Sequence, residues 1–424
     1  MSAPNSLTQH ADAPQATGKA AVLSGKAAVL VPQADSMGAI GVIRSLGQHG
    51  YAVHAASSKP GALGCQSAFA TASYQCPAYE DSNYLPWLRE TIRSQHIAAI
   101  IPSEGFLLAI RHCFAEFSPL MAIPADAELV YGCLSKVWVF DKFLQSDDDR
   151  LRQHISRTAV LNQPAELDAV DFSQWRLPFF VKGDGFYAKQ GDQALVRKVR
   201  SVTEARQAVL EAFADFDKVL LQDCSSGVKA TVNLLMQDGK ILAESMAVAK
   251  HENPHTGGLT SLRSSWWHQP MYDDAVLRLR ALNWNGPAMV EYKWDAASQT
   301  FDFIELNSRY WAALNLDIHA GLHFPVIQLR AFLQGQTAAT PERLTKIITV
   351  RHAFPADFGY LLSKLKDPQV TPAAKLKSAL GFLLYFFHPG IHSDLNYPGD
   401  RRLAWLNTKA FLTELGQACL KKLS

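Results

Sequence analysis

The stretch PAMVEYKWDAASQTFDFIELNSRYW, residues 287–311, restricts the chain more than any other. β-Branched and aromatic residues on both sides of AASQ predict two strands joined by a turn. Successive strand residues point to opposite faces, so Glu305, Asn307 and Arg309 share one face with Phe303, while Ile304 and Leu306 point into a core. A turn centred near Ser298 sets Glu291 opposite Glu305 on that same face. Facing carboxylates repel, and such a polar face on a half-buried strand is costly unless something charged rests on it. Two carboxylates and an amide are the oxygen donors a hard divalent cation takes. Arg309, next along, suits a phosphate or a developing oxyanion. An incidental surface salt bridge explains one such glutamate but not the four residues together.

A chain of 424 residues predicts two to four domains. The net charge of +2 gives no reason to expect nucleic-acid binding. Six scattered cysteines without a CxxC pair fit reduced thiols and a cytoplasmic location better than a disulfide framework or zinc site. Residues 1–24, rich in Ala, Ser, Pro and Gln, read as a disordered tail without a signal-peptide pattern. The longest apolar run, ALGFLLYFF (379–387), falls short of the roughly 20 residues a transmembrane segment needs. A buried helix is the plain reading there, with membrane-surface or lipid-substrate contact as the lesser alternative.

KAAVLVP (26–32), YAVHAAS (51–57) and HIAAIIP (96–102) read as strands, the helix YLPWLRETIRSQ precedes the last of them, and PLMAIPA adds a fourth strand. Their alternation with helices predicts a Rossmann-like parallel βαβ domain over 25–125. Gly38 and Gly41 lack the full dinucleotide fingerprint and no acid follows YAVHAA, so a nicotinamide site is rejected; turn geometry accounts for the glycines. Further on, LPFFVKGDG, ALVRKVRS and KVLLQDC are strands, KATVNLLMQDGKILAESMAVAK is a hairpin about Asp238-Gly239, and the pattern is that of an α+β domain. From Phe324 onward the chain is mostly helical.

Glu-x-Asn-x-Arg on a strand, with a strand glutamate 14 residues before its own, resembles the magnesium signature of the ATP-grasp superfamily. KGDG (182–185) is similar to its lysine and glycine-rich phosphate loop, VLLQDC (219–224) to the strand joining its two lobes. DKF (141–143) is placed like the earlier lysine of biotin carboxylase-like members, and YWAALNLDIHAGLHFP like the segment after the signature in carboxylate–amine ligase-like members. The likeness covers residues 25 to about 335. It implies an ATP-grasp domain over 126–335, its smaller lobe at about 135–220, followed by a mostly helical region over 336–424. It further implies that Lys142 and Lys182 contact ATP phosphates, Lys182 touching adenine as well. Gly183 and Gly185 would let backbone amides approach phosphate, and Gln222, Asp223 and Cys224 would frame adenine. Glu291, Glu305 and Asn307 would hold one or two magnesium ions, with manganese as a substitute, and Arg309 would steady an acyl phosphate. Three features depart from the pattern: Asp223 stands where glutamate is usual, Lys229 where an acid for ribose is common, and the phosphate loop is less Gly/Ser-rich than usual and contains Phe186 and Tyr187.

The polar stretch AKHENPHTGGLTSLRSSWW (249–267) reads as a loop closing over a second substrate through Lys250, His251, Gly258 and Arg263, or as a solvated surface loop. His251 and His255 make a weak metal pair. Glu104 follows a parallel strand's C-terminal end, where ligands bind, although Ser103 capping a helix is an equal reading. Asp394, Asp400, Arg401 and Arg402 are further candidates to return over the site. The expectation is an ATP- and magnesium-dependent ligase joining a small-molecule carboxylate to an amine, with a homodimer compatible. Alternatives are a bicarbonate-phosphorylating carboxylase or carbamoyl phosphate synthase-like enzyme, disfavoured by the lack of a biotin or glutaminase region, and a nucleotide-binding regulatory protein without turnover.

Overall fold

The computed structural model describes residues 27–190 and 194–423. The tail expected over residues 1–24 lies outside the described residues. Apolar β1 (Ala28–Val31), β2 (Ala52–Ser57), β3 (Ala72–Gln75) and β4 (Ile97–Ile100) form a parallel sheet in the order β3-β2-β1-β4. PLMAIPA gives only an isolated bridge, Ile100 to Met121. The fourth strand is instead the polar edge segment Ala72–Gln75, whose residues alternate between half-buried and exposed. Period-two burial without a hydrophobic face leaves little signal in sequence.

Gly38 and Gly41 are not turn residues. They lie inside the helix Met37–Gln48, capped by Ser36, whose hydroxyl accepts from the Ala39 N–H. A Cβ on Gly38 would lie 3.2 Å from the carbonyl oxygens of Tyr310 and Trp311, and one on Gly41 3.1 Å from Leu314. The glycines let this helix approach the segment that follows Arg309. Val31, Ile43, Trp311, Leu314 and Leu329 share one buried cluster there.

A smaller antiparallel sheet contains β5 (Thr158–Leu161), β6 (Phe179–Gly183), β7 (Leu195–Val199) and β8 (Val219–Asp223), in the order β5-β8-β6-β7. The larger sheet is built on β9 (Val228–Gln237), β10 (Lys240–Asn253), β11 (Leu259–Ser265), β12 (Gly286–Asp295) and β13 (Thr300–Asn307). Asp238 and Gly239 turn β9 into β10 with φ of 49° and 74°, the positive values a two-residue hairpin needs. Short strands β14 (Glu342–Arg343), β15 (Thr349–Arg351) and β16 (Ile391–Ser393) extend this sheet, so the region after residue 336 is not helical alone. The stretch 249–267 is mostly the ladder β10/β11, not a free loop.

In the β12/β13 hairpin Glu291 does face Glu305, but by a different route from a uniform register. From Asp295/Thr300 to Tyr292/Phe303 the strands pair one step out from Glu291/Glu305, and a bulge at Ile304 absorbs the difference. Phe303 is thereby moved to the core face. It pairs with Tyr292, is fully buried, and packs on Phe140 and Phe143. Ile304 is half-buried and Leu306 buried.

Candidate active site

Groups from both antiparallel sheets and from the helix Lys136–Leu144 converge on the polar face of β12 and β13. Lys229, two residues along β9 from Thr231, which pairs with Glu291, places its Nζ 2.9 Å from Glu291 Oε1. Lys136 Nζ lies 2.5 Å from Glu305 Oε2, and Asn307 Nδ2 donates to Glu305 Oε1 at 3.1 Å. Burial, then the nearby Glu305 charge, raises the Glu291 carboxyl above its ordinary pKa. Burial pushes Glu305 the same way, but Lys136, Asn307 and Lys229 together outweigh it and hold that carboxyl below the usual range. The two carboxylates thus differ: Glu305 is a firm anion, Glu291 the more readily protonated partner.

Lys136 escaped the sequence reading, which placed the earlier lysine at Lys142. Lys142 is exposed on the same helix, its Nζ 5.2 Å from the centre of the Trp138 ring, and the structure does not bring it to the cluster. Ser135 was the available signal. It caps the helix by accepting from the Trp138 N–H, so Lys136 leads the first turn. Asp184 of the KGDG turn accepts from the Ser135 hydroxyl and the Val137 N–H, both at 2.9 Å, and so ties that turn to the helix start. Gly183 has a packing reason as well: a Cβ there would lie 2.7 Å from the Phe216 ring.

Lys182 Nζ donates to Gln222 Oε1 at 2.6 Å. Burial, with Lys136 nearby, lowers its pKa to about 8. Gln222 is buried; Asp223 ends β8 and accepts from the Arg176 N–H at 3.2 Å; half-buried Cys224 follows, its thiol pKa raised by burial. Three cavities adjoin here, the first two sharing Glu104 and the last two sharing Arg309. One of about 210 Å³ is lined by Lys136, Lys182, Gly183 and Gly185. Another, about 460 Å³, lies at the C-terminal ends of β1 and β4 beside Gly38, Glu104 and Arg309. The third, about 430 Å³, holds Lys229, Glu291, Glu305, Asn307, Arg309 and Arg263. Arg309 Nε donates to Glu104 Oε2 at 3.0 Å. Ser103 does cap the helix after β4, accepting from the Phe106 N–H.

Of the 249–267 candidates, only Arg263 lines a cavity in this group. Its guanidinium grips Asp394 at 2.9 and 2.5 Å. Lys250 is exposed. His251 Nδ1 pairs with Asp357 at 2.7 Å and its ring stacks on Tyr360, while His255 uses both ring nitrogens on Ser363 and Asp367, so the two do not form a metal pair. Gly258 donates its N–H to Glu252, and a Cβ there would meet the Asn253 carbonyl oxygen at 2.1 Å. Asp400 pairs with Arg44 away from this face.

The donor chemistry suits magnesium. Glu291, Glu305 and Asn307 offer hard oxygens on one face, and such a set leaves room for substrate phosphates in the ion's shell. Lys136, Lys182 and Lys229 outnumber the two carboxylates, a surplus matched to a polyphosphate.

No family model matches the chain, and no curated protein does. Solved structures do match. L-amino acid ligase from Bacillus licheniformis aligns over 73% of this chain and 75% of its own, at 14% identity and TM-score 0.53. Biotin carboxylase from Campylobacter jejuni aligns over 76% and 74%, at 16% identity and TM-score 0.57. The N5-carboxyaminoimidazole ribonucleotide synthetase purK, in its ADP complex, aligns over 86% and 97%, at 11% identity and TM-score 0.57. The fold is that of the ATP-grasp enzymes. The matched structures include a ligase, a carboxylase and a synthetase of that fold.

Proposed function

We propose that this chain is an ATP- and magnesium-dependent carboxylate–amine ligase working through an acyl phosphate. The observation that carries the proposal is Glu291 facing Glu305 beside Asn307, with Lys136 and Lys229 on the two carboxylates and Arg309 at the next turn of the same face. Lys136 and Lys182 bind the ATP phosphates, and Gln222 to Cys224 border the adenine. Glu291, Glu305 and Asn307 hold the magnesium, which when bound neutralises phosphate oxygens during transfer. A substrate carboxylate oxygen attacks the γ-phosphorus and ADP departs. Arg309 stabilises the resulting acyl phosphate and the oxyanion formed when the amine attacks the carbonyl carbon. That attack forms the C–N bond, and collapse of the oxyanion breaks the C–O bond to phosphate; the amine proton goes to solvent and inorganic phosphate leaves.

Hydroxylamine intercepts acyl phosphates as hydroxamates. With ATP, magnesium and pooled carboxylates, the protein should form hydroxamate and ADP together. ADP release that no acid stimulates across a broad panel would argue against ligation.

Lysine placement gives a sharper prediction. Lys136→Ala should lower kcat/KM for ATP about tenfold or more, the worth of a charge-assisted hydrogen bond. Lys142→Ala should stay within about twofold, as expected for an exposed charge. Equal losses would show that the helix, not Lys136, matters.

pH dependence tests Lys182. Its ammonium is the phosphate-binding form, and in the free protein it deprotonates near pH 8 because burial lowers its pKa to about 8. ATP affinity should therefore weaken as pH rises above that value. Lys182→Arg, which stays charged, should flatten the profile between pH 7 and 9; an unchanged slope would assign the titration to another group.

A further inference from the structure

We propose that the outer face of the helix Pro372–Leu384, with the residues just after it, docks on an anionic lipid surface. The inner face of this helix is already used. Phe382 is buried against Phe354, Phe358 and Phe386, and the Arg351 guanidinium lies 4.3 Å from its ring centre. The helix is thus anchored, yet an apolar stripe remains outside. Leu376, Leu380, Leu383, Leu384 and Phe387 follow helical spacing, and Leu376, Leu384 and Phe387 are 62%, 65% and 86% exposed. A contiguous apolar face of this kind on a soluble domain marks an interaction site.

The surrounding charge selects the occupant. Between Phe358 and His392 the chain carries Lys364, Lys366, Lys375 and Lys377 against a single acid, Asp367. Asp367 is occupied: it accepts from the Gln369 N–H at 2.7 Å and pairs with His255 at 2.9 Å. Lys377 lies on the stripe itself, three and seven residues before Leu380 and Leu384. A two-fold interface between copies would set these lysines against each other without an acid to pair them. Lipid headgroup phosphates meet them instead, while Leu and Phe side chains enter the acyl boundary. Among the described residues no helix is long and apolar enough to cross a membrane, so the contact is superficial.

Sedimentation of the full chain with vesicles tests this. Wild type should bind phosphatidylcholine vesicles containing phosphatidylglycerol, and bind vesicles of phosphatidylcholine alone about tenfold more weakly. Leu380→Glu combined with Phe387→Glu should abolish binding. Lys366→Glu combined with Lys377→Glu should weaken it about tenfold or more, and salt should weaken the wild type in the same direction. Both double variants alter exposed residues away from the cleft, so vesicle-free melting temperature and ADP release should match wild type and report folding. Absence of wild-type binding to the anionic vesicles, or undiminished binding by the Leu380/Phe387 variant, would overturn the proposal. So would a vesicle-free dimer, seen by light scattering, that the same variant dissociates, since a second copy would then cover the stripe.

Discussion

Glu305→Gln is expected to reduce acid-dependent ADP formation by roughly 10²–10³-fold, the cost of removing one preorganised electrostatic group from a reacting centre. The substitution keeps the shape and removes the charge. Glu305 is the carboxylate that Lys136 keeps ionised, so its anion is what the site loses. Glu291→Gln should cost turnover too, and it removes a carboxyl whose pKa burial and Glu305 raise against the pull of Lys229. Each change breaks one ion pair, Glu291 with Lys229 and Glu305 with Lys136, so stability should fall less in Glu291→Gln only through the charge that burial and Glu305 already disfavour there. Parallel ADP assays and thermal melts of the two variants check both orders. Wild-type turnover in Glu305→Gln would remove this face from the chemistry.

The largest stability effect should come from a residue outside the cleft. Arg44, on the helix behind Gly38, is fully buried and donates to Asp400 at 2.8 Å, Asn315 at 2.9 Å and the Leu395 carbonyl at 3.1 Å, and it also reaches the Asp394 carbonyl. Asp400 in turn accepts from the Ser67 hydroxyl and the Ala68 N–H, both at 2.9 Å. One ion pair thus ties the helix Met37–Gln48 to the C-terminal segment that carries Asp394 to Arg263. Arg44→Ala strands a buried carboxylate and should cost about 3–5 kcal/mol, whereas replacing both partners by leucine should cost less than either single change. Urea denaturation of the three variants reads the order. A double variant no better than the singles would assign the loss to packing.

The polar face of β13 was legible in sequence because Glu305, Asn307 and Arg309 keep a two-residue period within their own segment. The bulge at Ile304 is invisible to that period, and it alone carried Phe303 from the expected polar face to the core. Pairing of Glu291 with Glu305 was nevertheless right, since the bulge offsets the tighter turn. Lys142 and Lys136 sit on one helix, and only the cap at Ser135 and its tie to Asp184 distinguish them. The cap is local, but the tie joins residues 49 positions apart, beyond any local pattern. Gly38 and Gly41 misled for a related reason: their role is close approach to Tyr310–Leu314, a contact between distant segments. The ladder over 249–267 was hidden by its polarity. His251, His255 and Arg263 pair with Asp357, Asp367 and Asp394, partners that no reading of the loop by itself could supply.

Isotope transfer tests the central claim most directly. A carboxylate acid that stimulates ADP release is labelled with ¹⁸O in its carboxyl group, and the phosphate formed with ATP and an amine is examined by ³¹P NMR. Attack by the carboxylate on the γ-phosphorus, followed by C–O cleavage, predicts phosphate carrying one ¹⁸O, with the signal lost in Glu305→Gln. Phosphate free of ¹⁸O while the amide accumulates would contradict an acyl phosphate at this site.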